Sequence, residues 1–356
     1  MPWRNCWNRV FSGAGVEFAV LAAPHGSVDP AAWLASSRMK IVYLGSGAFG
    51  LPALRALLAA GHEIALIISQ PDRPAGRGKK LTPTPVSQFA AETGLPLLAT
   101  ENANSPEMIS AVRAAGARCL VVIAFGQKLS DDLLAAAPLG GINLHASLLP
   151  KYRGAAPINW AIINDEKDAG VSVIRVTNVM DGGEIFAQAH MPIAPDHTAG
   201  ILHDALAKLG APVLVRVIEA LADGTAFPLP QDTAQKSGAR KLSREDAWID
   251  FGQPAELVSA RIRGLSPWPA CAVHLMDDAG AMRAQVSLLN CRAQIGQATN
   301  GRPGTVLVGG LVACGSGALE LLEVQPAGKK AMPMPAFING YGWKAGWRVV
   351  AVQPPR

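Results

Sequence analysis

Residues 40–50 read KIVYLGSGAFG. A short apolar run ends in a glycine-rich turn. Residues 51–60 then carry apolar side chains at helical spacing, with Gly61 behind them as a helix-ending glycine. The unit repeats downstream. Residues 64–69, 119–124, 142–145 and 171–177 are apolar strand-like runs. Between them lie helix signals: residues 86–93 before Gly94, Ser105-Pro106-Glu107 with serine as N-cap and proline at the first helical position, and Ser130-Asp131-Asp132. Strands this apolar, alternating with helices, predict an α/β fold: a mostly parallel sheet with helices on both faces. A long helix over residues 199–222 closes this region. Open sheets of this kind hold ligands beyond the carboxyl ends of their strands.

Beyond residue 222 the pattern changes. Residues 223–243 are polar, carry Pro228 and Pro230, and read as a linker. Residues 270–276, 284–289, 305–308 and 318–324 are short β-type runs broken by glycine, proline and asparagine. They predict a small C-terminal β-barrel or sandwich over residues 244–356. A length of 356 residues fits two such domains. Residues 1–38 precede the first clean strand. They hold Trp3, Arg4, Trp7 and Arg9, few acids, and no compact signal-peptide core. They read as a disordered extension or a start assigned too early, with Met39 opening the catalytic region 39–222. A transit peptide, which would send the chain to an organellar matrix, is the alternative.

Hydrophobic residues make up 49% and charged residues 17% of the chain, enough for a sizeable core and too apolar for disorder. The net charge of +5 is compatible with a polyanionic partner without requiring one. The five cysteines form no CxxC pair and read as buried, reduced thiols of a cytoplasmic protein. No apolar run reaches the roughly 18 residues of a membrane span. The histidines outside the candidate site lack metal-ligand spacing with cysteines or carboxylates, so no metal is expected.

Four segments could carry chemistry. Gly45-Ser46-Gly47-Ala48-Phe49-Gly50 matches a dinucleotide fingerprint, but the second strand ends at Ser69-Gln70, where a ribose-binding acid should stand. A tight strand-to-helix turn is the stronger reading, and no NAD is expected. In Asn143-Leu144-His145, positions i and i+2 of a strand point to one side, at a carboxyl end. A neutral amide donor beside an imidazole suits a carbonyl whose oxygen gains charge. A turn-capping asparagine and a satisfied core histidine are the alternative. Asp181 before Gly182-Gly183 reads as a turn residue or as the acid that orients His145. The stretch 71–80, PDRPAGRGKK, holds four cations and one acid in a long loop, either solvated or in contact with phosphate.

Taken together, these segments resemble the 10-formyltetrahydrofolate-dependent formyltransferases, and within them the branch acting on methionyl-tRNA. The resemblance runs from Met39 to about Trp343. It rests on QPDRPAGRGKKL at 70–81, INLHASLLPKYRGAAPINW at 142–160, the Asp181 segment, KLSREDAWIDF at 241–251 and PAGKKAM at 326–332. It implies a Rossmann-like catalytic domain that does not use NAD, followed by an OB-like barrel. Catalytic roles fall on Asn143, His145 and Asp181, and folate contact on Ser147, Leu148, Leu149 and Pro150. Contact with initiator methionyl-tRNA falls on Arg73, Arg77, Lys79, Lys80, Lys329 and Lys330, with Arg77 the key loop residue. The implied product is formylmethionyl-tRNA. The chain is expected to be a cytoplasmic monomer that uses no metal and no membrane.

The sequence departs from the family pattern in its first turn, GSGAF at 45–49 where GTPDF is common, and at two site positions. Ala146 stands where glycine is usual, and Gly182 stands where the family places threonine. Three rivals remain: a formyltransferase for a small amine, which keeps the three catalytic residues but not the basic loop; an NAD-linked oxidoreductase; and a non-catalytic RNA-binding protein.

Overall fold

The computed structural model describes residues 8–13, 16–20, 38–75, 78, 80–296 and 301–353. Most of the N-terminal extension, together with Arg77 and Lys79, lies outside the described residues. The chain forms two compact units. One comprises Met1–Gly154, Gly170–Met191 and Asp204–Gly238; the other comprises Ala155–Ala169, Pro192–His203 and Ala239–Arg356.

The first unit is built on strands Asn8–Gly13 (β1), Val16–Val20 (β2), Lys40–Gly45 (β3), Glu63–Ser69 (β4), Arg73–Ala75 (β5), Lys80–Thr82 (β6), Leu97–Ala99 (β7), Cys119–Ile123 (β8), Gly141–His145 (β9), Arg153–Gly154 (β10), Asp168–Arg175 (β11) and Ile185–Pro192 (β12). Nine of them form one sheet in the order β1-β2-β12-β11-β9-β8-β3-β4-β7. The run β9-β8-β3-β4-β7 is parallel, and β11 returns antiparallel to β9. The chain first winds outward from β3 to β7, then crosses over to β8 and β9. That reversal opens a crevice at the carboxyl ends of the strands. Two strands of the extension, β1 and β2, add an antiparallel hairpin beyond β12.

The core of this unit follows from the two-residue period of its strands. Val42 and Leu44 of β3, Ile68 of β4 and Leu120 of β8 are fully buried on one face. They pack with Val112 of helix Pro106–Ala115 and Leu133 of helix Asp131–Leu134. On the other face Leu144 of β9 lies against Gly210 of the long helix Ala199–Ala222, where a side chain would come within 2.8 Å of the leucine. Helices therefore cover both faces. The caps match the residue types: Ser105 and Ser130 each accept from the amide three residues on, and Gly94 and Gly116 end their helices in the left-handed region.

The basic stretch departs from the expected loop. Arg73–Ala75 and Lys80–Thr82 pair antiparallel, so it is a small hairpin. Three-residue strands without an apolar alternation leave no periodic signal to read.

The second unit carries an antiparallel six-stranded sheet: Cys271–Met276 (β14), Met282–Gln294 (β15), Val312–Ala313 (β16), Ala318–Pro326 (β17), Met332–Pro333 (β18) and Arg348–Ala351 (β19), after the two-residue strand Gly238–Ala239 (β13) that pairs with β10. The residues 305–308 read as a strand make isolated bridges that nearly close a barrel. Thr305 bridges Arg348 of β19, and Val306 bridges Val312 of β16. Helices Ala255–Gly264 and Met334–Tyr341 pack with this sheet, burying Val258, Ile262 and Phe337 in its core. The sequence pattern predicts few helices there. The cysteines at 119, 271, 291 and 314 are buried thiols, and burial pushes Cys119, Cys271 and Cys314 up to about 12. Among the described residues no helix is long and apolar enough to cross a membrane.

Candidate active site

Strand β9 delivers Asn143 and His145 to one side of the sheet's carboxyl end. Its other side chains, Ile142 and Leu144, are buried on the opposite face. In register, β11 sets Ser172 opposite His145 and Ile174 opposite Asn143. The loop after β11 carries Asp181 back over this edge. Its base is pinned where the Arg175 amide donates to the Glu184 carbonyl at 2.9 Å and the two side chains pair at 3.1 Å.

The three candidate residues converge on one carboxylate oxygen. Asn143 Nδ2 donates to Asp181 Oδ1 at 3.4 Å, and His145 Nδ1 stands 3.6 Å from the same atom. The other oxygen, Oδ2, accepts from the Gly154 amide at 2.9 Å. His145 Nε2 lies 3.0 Å from the Tyr152 carbonyl. A carbonyl only accepts, so Nε2 carries a hydrogen and Nδ1 is the nitrogen that faces Asp181. The imidazole is buried, with 7% of its side chain exposed, whereas Asn143 is half-buried.

Asp181 itself sits at φ 48°, a conformation that aspartate tolerates better than most residues. Two neighbours explain its glycines. A side chain at 183 would strike the Arg175 carbonyl, and one at 182 would come within 2.5 Å of Val179 Cγ1. Gly182 thus leaves the room that Val179 occupies. Ala146 lies outside the left-handed region, so its backbone requires no glycine.

A set of side chains that the sequence reading missed surrounds the aspartate. Gln231 Nε2 donates to the Asp181 carbonyl at 2.8 Å and to the Gly183 carbonyl at 2.7 Å. Gln231 Oε1 accepts from Arg153 Nε at 3.1 Å and Nη2 at 2.7 Å. Gln231 belongs to the stretch read as a linker.

The segment Ser147, Leu148, Leu149 and Pro150 follows β9 directly. Ser147 Oγ donates to the Lys151 carbonyl at 2.7 Å. Ser172 Oγ donates to the Ser147 carbonyl at 2.6 Å and accepts from the Leu149 amide at 3.1 Å, and Gln188 Nε2 donates to the Leu149 carbonyl at 2.9 Å. Ser147 and Leu149 are buried; Leu148 and Pro150 are half-buried.

The glycine-rich turn is filled from within. Ser46 Oγ accepts from the Gln70 amide at 2.9 Å, and a side chain at Gly45 would come 2.6 Å from the Ile123 carbonyl. Close packing accounts for its glycines. A cleft of about 450 Å³ opens nearby, lined by Gln70, Arg73, Thr82, Thr84, Phe125 and Gly126 among others, and by none of the three converging residues. Arg73 and Lys80 are exposed on the hairpin, and Lys329 and Lys330 are exposed in the turn before β18 of the second unit.

The sequence pattern described as formyl transferase matches residues 39–218, and that described as formyl transferase, C-terminal domain, matches residues 241–342. Fold and sequence together define a formyl transferase with both of its characteristic parts. The methionyl-tRNA formyltransferase of Moorella thermoacetica is 41% identical over 307 residues, spanning 85% of this chain and 96% of that protein. The methionyl-tRNA formyltransferase of Solibacter usitatus is likewise 41% identical, over 304 residues. This chain belongs to the methionyl-tRNA formyltransferase family. Among solved structures, HypX from Aquifex aeolicus in complex with tetrahydrofolic acid shares the fold at a TM-score of 0.59 and 15% identity, over 86% of this chain and 48% of that one. WlaRD, a sugar 3N-formyl transferase, shares it at 0.57 and 17% identity, over 83% of this chain and 100% of that one.

Proposed function

We infer that this chain transfers a formyl group from a folate donor to the amino group of the methionine esterified to tRNA, with Asn143, His145 and Asp181 as its catalytic residues. The donor on this reading is 10-formyltetrahydrofolate, the acceptor is the initiator tRNA, and the reaction takes place in the cytoplasm. The observation that carries the catalytic assignment is the convergence of Asn143 Nδ2 and His145 Nδ1 on Asp181 Oδ1.

The amine attacks the formyl carbon, and the carbonyl oxygen gains negative charge. Asn143 uses one amide hydrogen on Asp181 and keeps the other for that oxygen. A preset donor of this kind is worth about 10²–10³ in rate. His145 Nδ1 takes the proton that the attacking nitrogen sheds and returns it to the departing nitrogen of the donor; such acid–base help contributes roughly 10²–10⁴. Asp181 supports the positive charge that the ring acquires. No covalent bond to the chain is required. Folate contact falls on Ser147, Leu148, Leu149 and Pro150, of which Leu148 and Pro150 are the more exposed. The basic hairpin and the barrel region hold the tRNA and align its amine.

The test is a formylation assay with 10-formyltetrahydrofolate and methionylated initiator tRNA, run beside an elongator tRNA and His145→Ala. Formylation of the initiator alone, lost in the variant, is expected. A folded enzyme that binds folate yet formylates neither tRNA would move the acceptor to a small amine.

A further inference from the structure

We propose that Gln231 is a positioning residue for the reaction: its side-chain amide, held by Arg153, fixes the backbone on both sides of the Asp181 carboxylate. This rests on the catalytic reading of Asp181.

The loop bearing Asp181 has little of its own to hold it at that point. Residues 182 and 183 are glycines, and the loop hydrogen bond beside them runs from the Gly182 amide to the Val179 carbonyl at 3.1 Å. Asp181 is in the left-handed region, from which an unsupported backbone relaxes readily. Gln231 meets this need with two donors from one nitrogen, to the Asp181 carbonyl and to the Gly183 carbonyl. These carbonyls bracket Gly182. A planar amide that donates twice has its orientation set only if its oxygen is also held. Arg153 does this with a fork of two N–H groups on Gln231 Oε1.

Arg153 and Gly154 are consecutive, so one short stretch of chain reaches Asp181 by two routes. The Gly154 amide holds the carboxylate directly, and Arg153 holds the backbone through Gln231. Displacing a catalytic group by about 1 Å can lower the rate by about 10²-fold. Gln231 makes no hydrogen bond to the side chain of Asn143, His145 or Asp181, so its effect falls on kcat and not on ground-state binding.

Three variants separate the roles. Gln231→Met keeps the volume and removes every hydrogen bond. Gln231→Glu keeps the pairing with Arg153 but turns an oxygen toward two carbonyls. Each is expected to lower kcat by about 10²-fold, with KM for tRNA and for folate within a few-fold of wild type. Placed in an Asp181→Ala background, neither should lower kcat further, because the group being positioned is gone. Wild-type kcat in both Gln231 variants would overturn the proposal. So would a loss that persists undiminished in the Asp181→Ala background, which marks a general structural defect. A wild-type rate for Asp181→Ala alone would instead overturn the catalytic reading of Asp181, and the proposal with it.

Discussion

The backbone amide of Gly154 donates to Asp181 Oδ2 at 2.9 Å, so the carboxylate is committed on one oxygen and presents only the other to Asn143 and His145. Asp181→Asn tests this polarity. The new amide must keep its oxygen on Gly154, which turns its NH₂ toward Asn143 and His145. That NH₂ faces the donor of Asn143 and ties up the Nδ1 lone pair of His145, and the charge that supports a protonated ring is lost. The expected result is a fall in kcat of roughly 10²–10⁴ with the melting temperature nearly unchanged. A variant that keeps the wild-type rate would remove Asp181 from the mechanism.

Gly182 and Val179 share one space. A β-carbon at 182 would lie 2.5 Å from Val179 Cγ1, and 3.2 Å from Arg153 Nη1. Gly182→Ala should therefore displace the Asp181 loop and lower kcat by about 10-fold or more. Val179→Ala removes the obstructing methyl groups and should restore most of the loss in the double variant. If Gly182→Ala is fully active, or the second change fails to rescue, the steric account is wrong.

Much of this architecture is legible in the sequence, and the gaps share a cause. Strand β9 and the helix Ala199–Ala222 stand within a residue of their sequence-based bounds, because apolar runs and helical spacing are local signals. The two-residue alternation that puts Asn143 and His145 on one side is equally local. The strand Ile185–Pro192 escaped notice: Gln188 and His190 break its apolar run, and it is recognised only by its neighbours in the sheet. Gln231 is the clearest case. It lies 50 residues from Asp181 in a polar stretch, and its two bonds exist only in the folded chain. The Tyr152 carbonyl and the Gly154 amide, which hold His145 and Asp181, leave no side-chain signature at all.

Arg73 and Lys80 lie exposed on the basic hairpin, and Arg73 also lines the neighbouring cleft. If they meet tRNA phosphates, each contact releases counterions, and affinity falls linearly with the logarithm of salt. The KM for tRNA should rise steeply between low and physiological salt, while folate binding changes little. Replacing either residue with serine should weaken tRNA binding and reduce the slope by about 1. Measuring KM for tRNA across a salt series in the wild type and the two variants decides this. A flat response, or unchanged slopes in the variants, would take the hairpin out of tRNA binding.

Asp246 of the second unit gives a prediction about stability. It is 5% exposed, yet its carboxylate is well supplied. Arg240 Nη1 donates to Oδ2 at 2.9 Å, Arg240 Nη2 donates to Oδ1, and the Ser243 amide donates to Oδ2 at 2.8 Å. The guanidinium also stacks 4.9 Å from the ring centre of Trp160, whose indole N–H donates to the Arg240 carbonyl at 2.8 Å. The Arg240 hydrogen bond is the main reason the Asp246 carboxyl lies below the usual aspartate value, with the Ser243 amide adding to it against the opposing effect of burial. A depressed value in the folded state means that the ionised carboxylate stabilises the fold. That contribution is complete above the unfolded value of about 3.9 and disappears as pH falls through the lower, folded one. Asp246→Asn should accordingly reduce stability at pH 7 by about 1–3 kcal/mol, through lost charge-assisted hydrogen bonds. The gap between wild type and variant should hold from pH 7 to about pH 5 and narrow below about pH 4. Denaturant unfolding of both proteins across that range measures it. A gap independent of pH would mean that Asp246 acts by shape and not by charge.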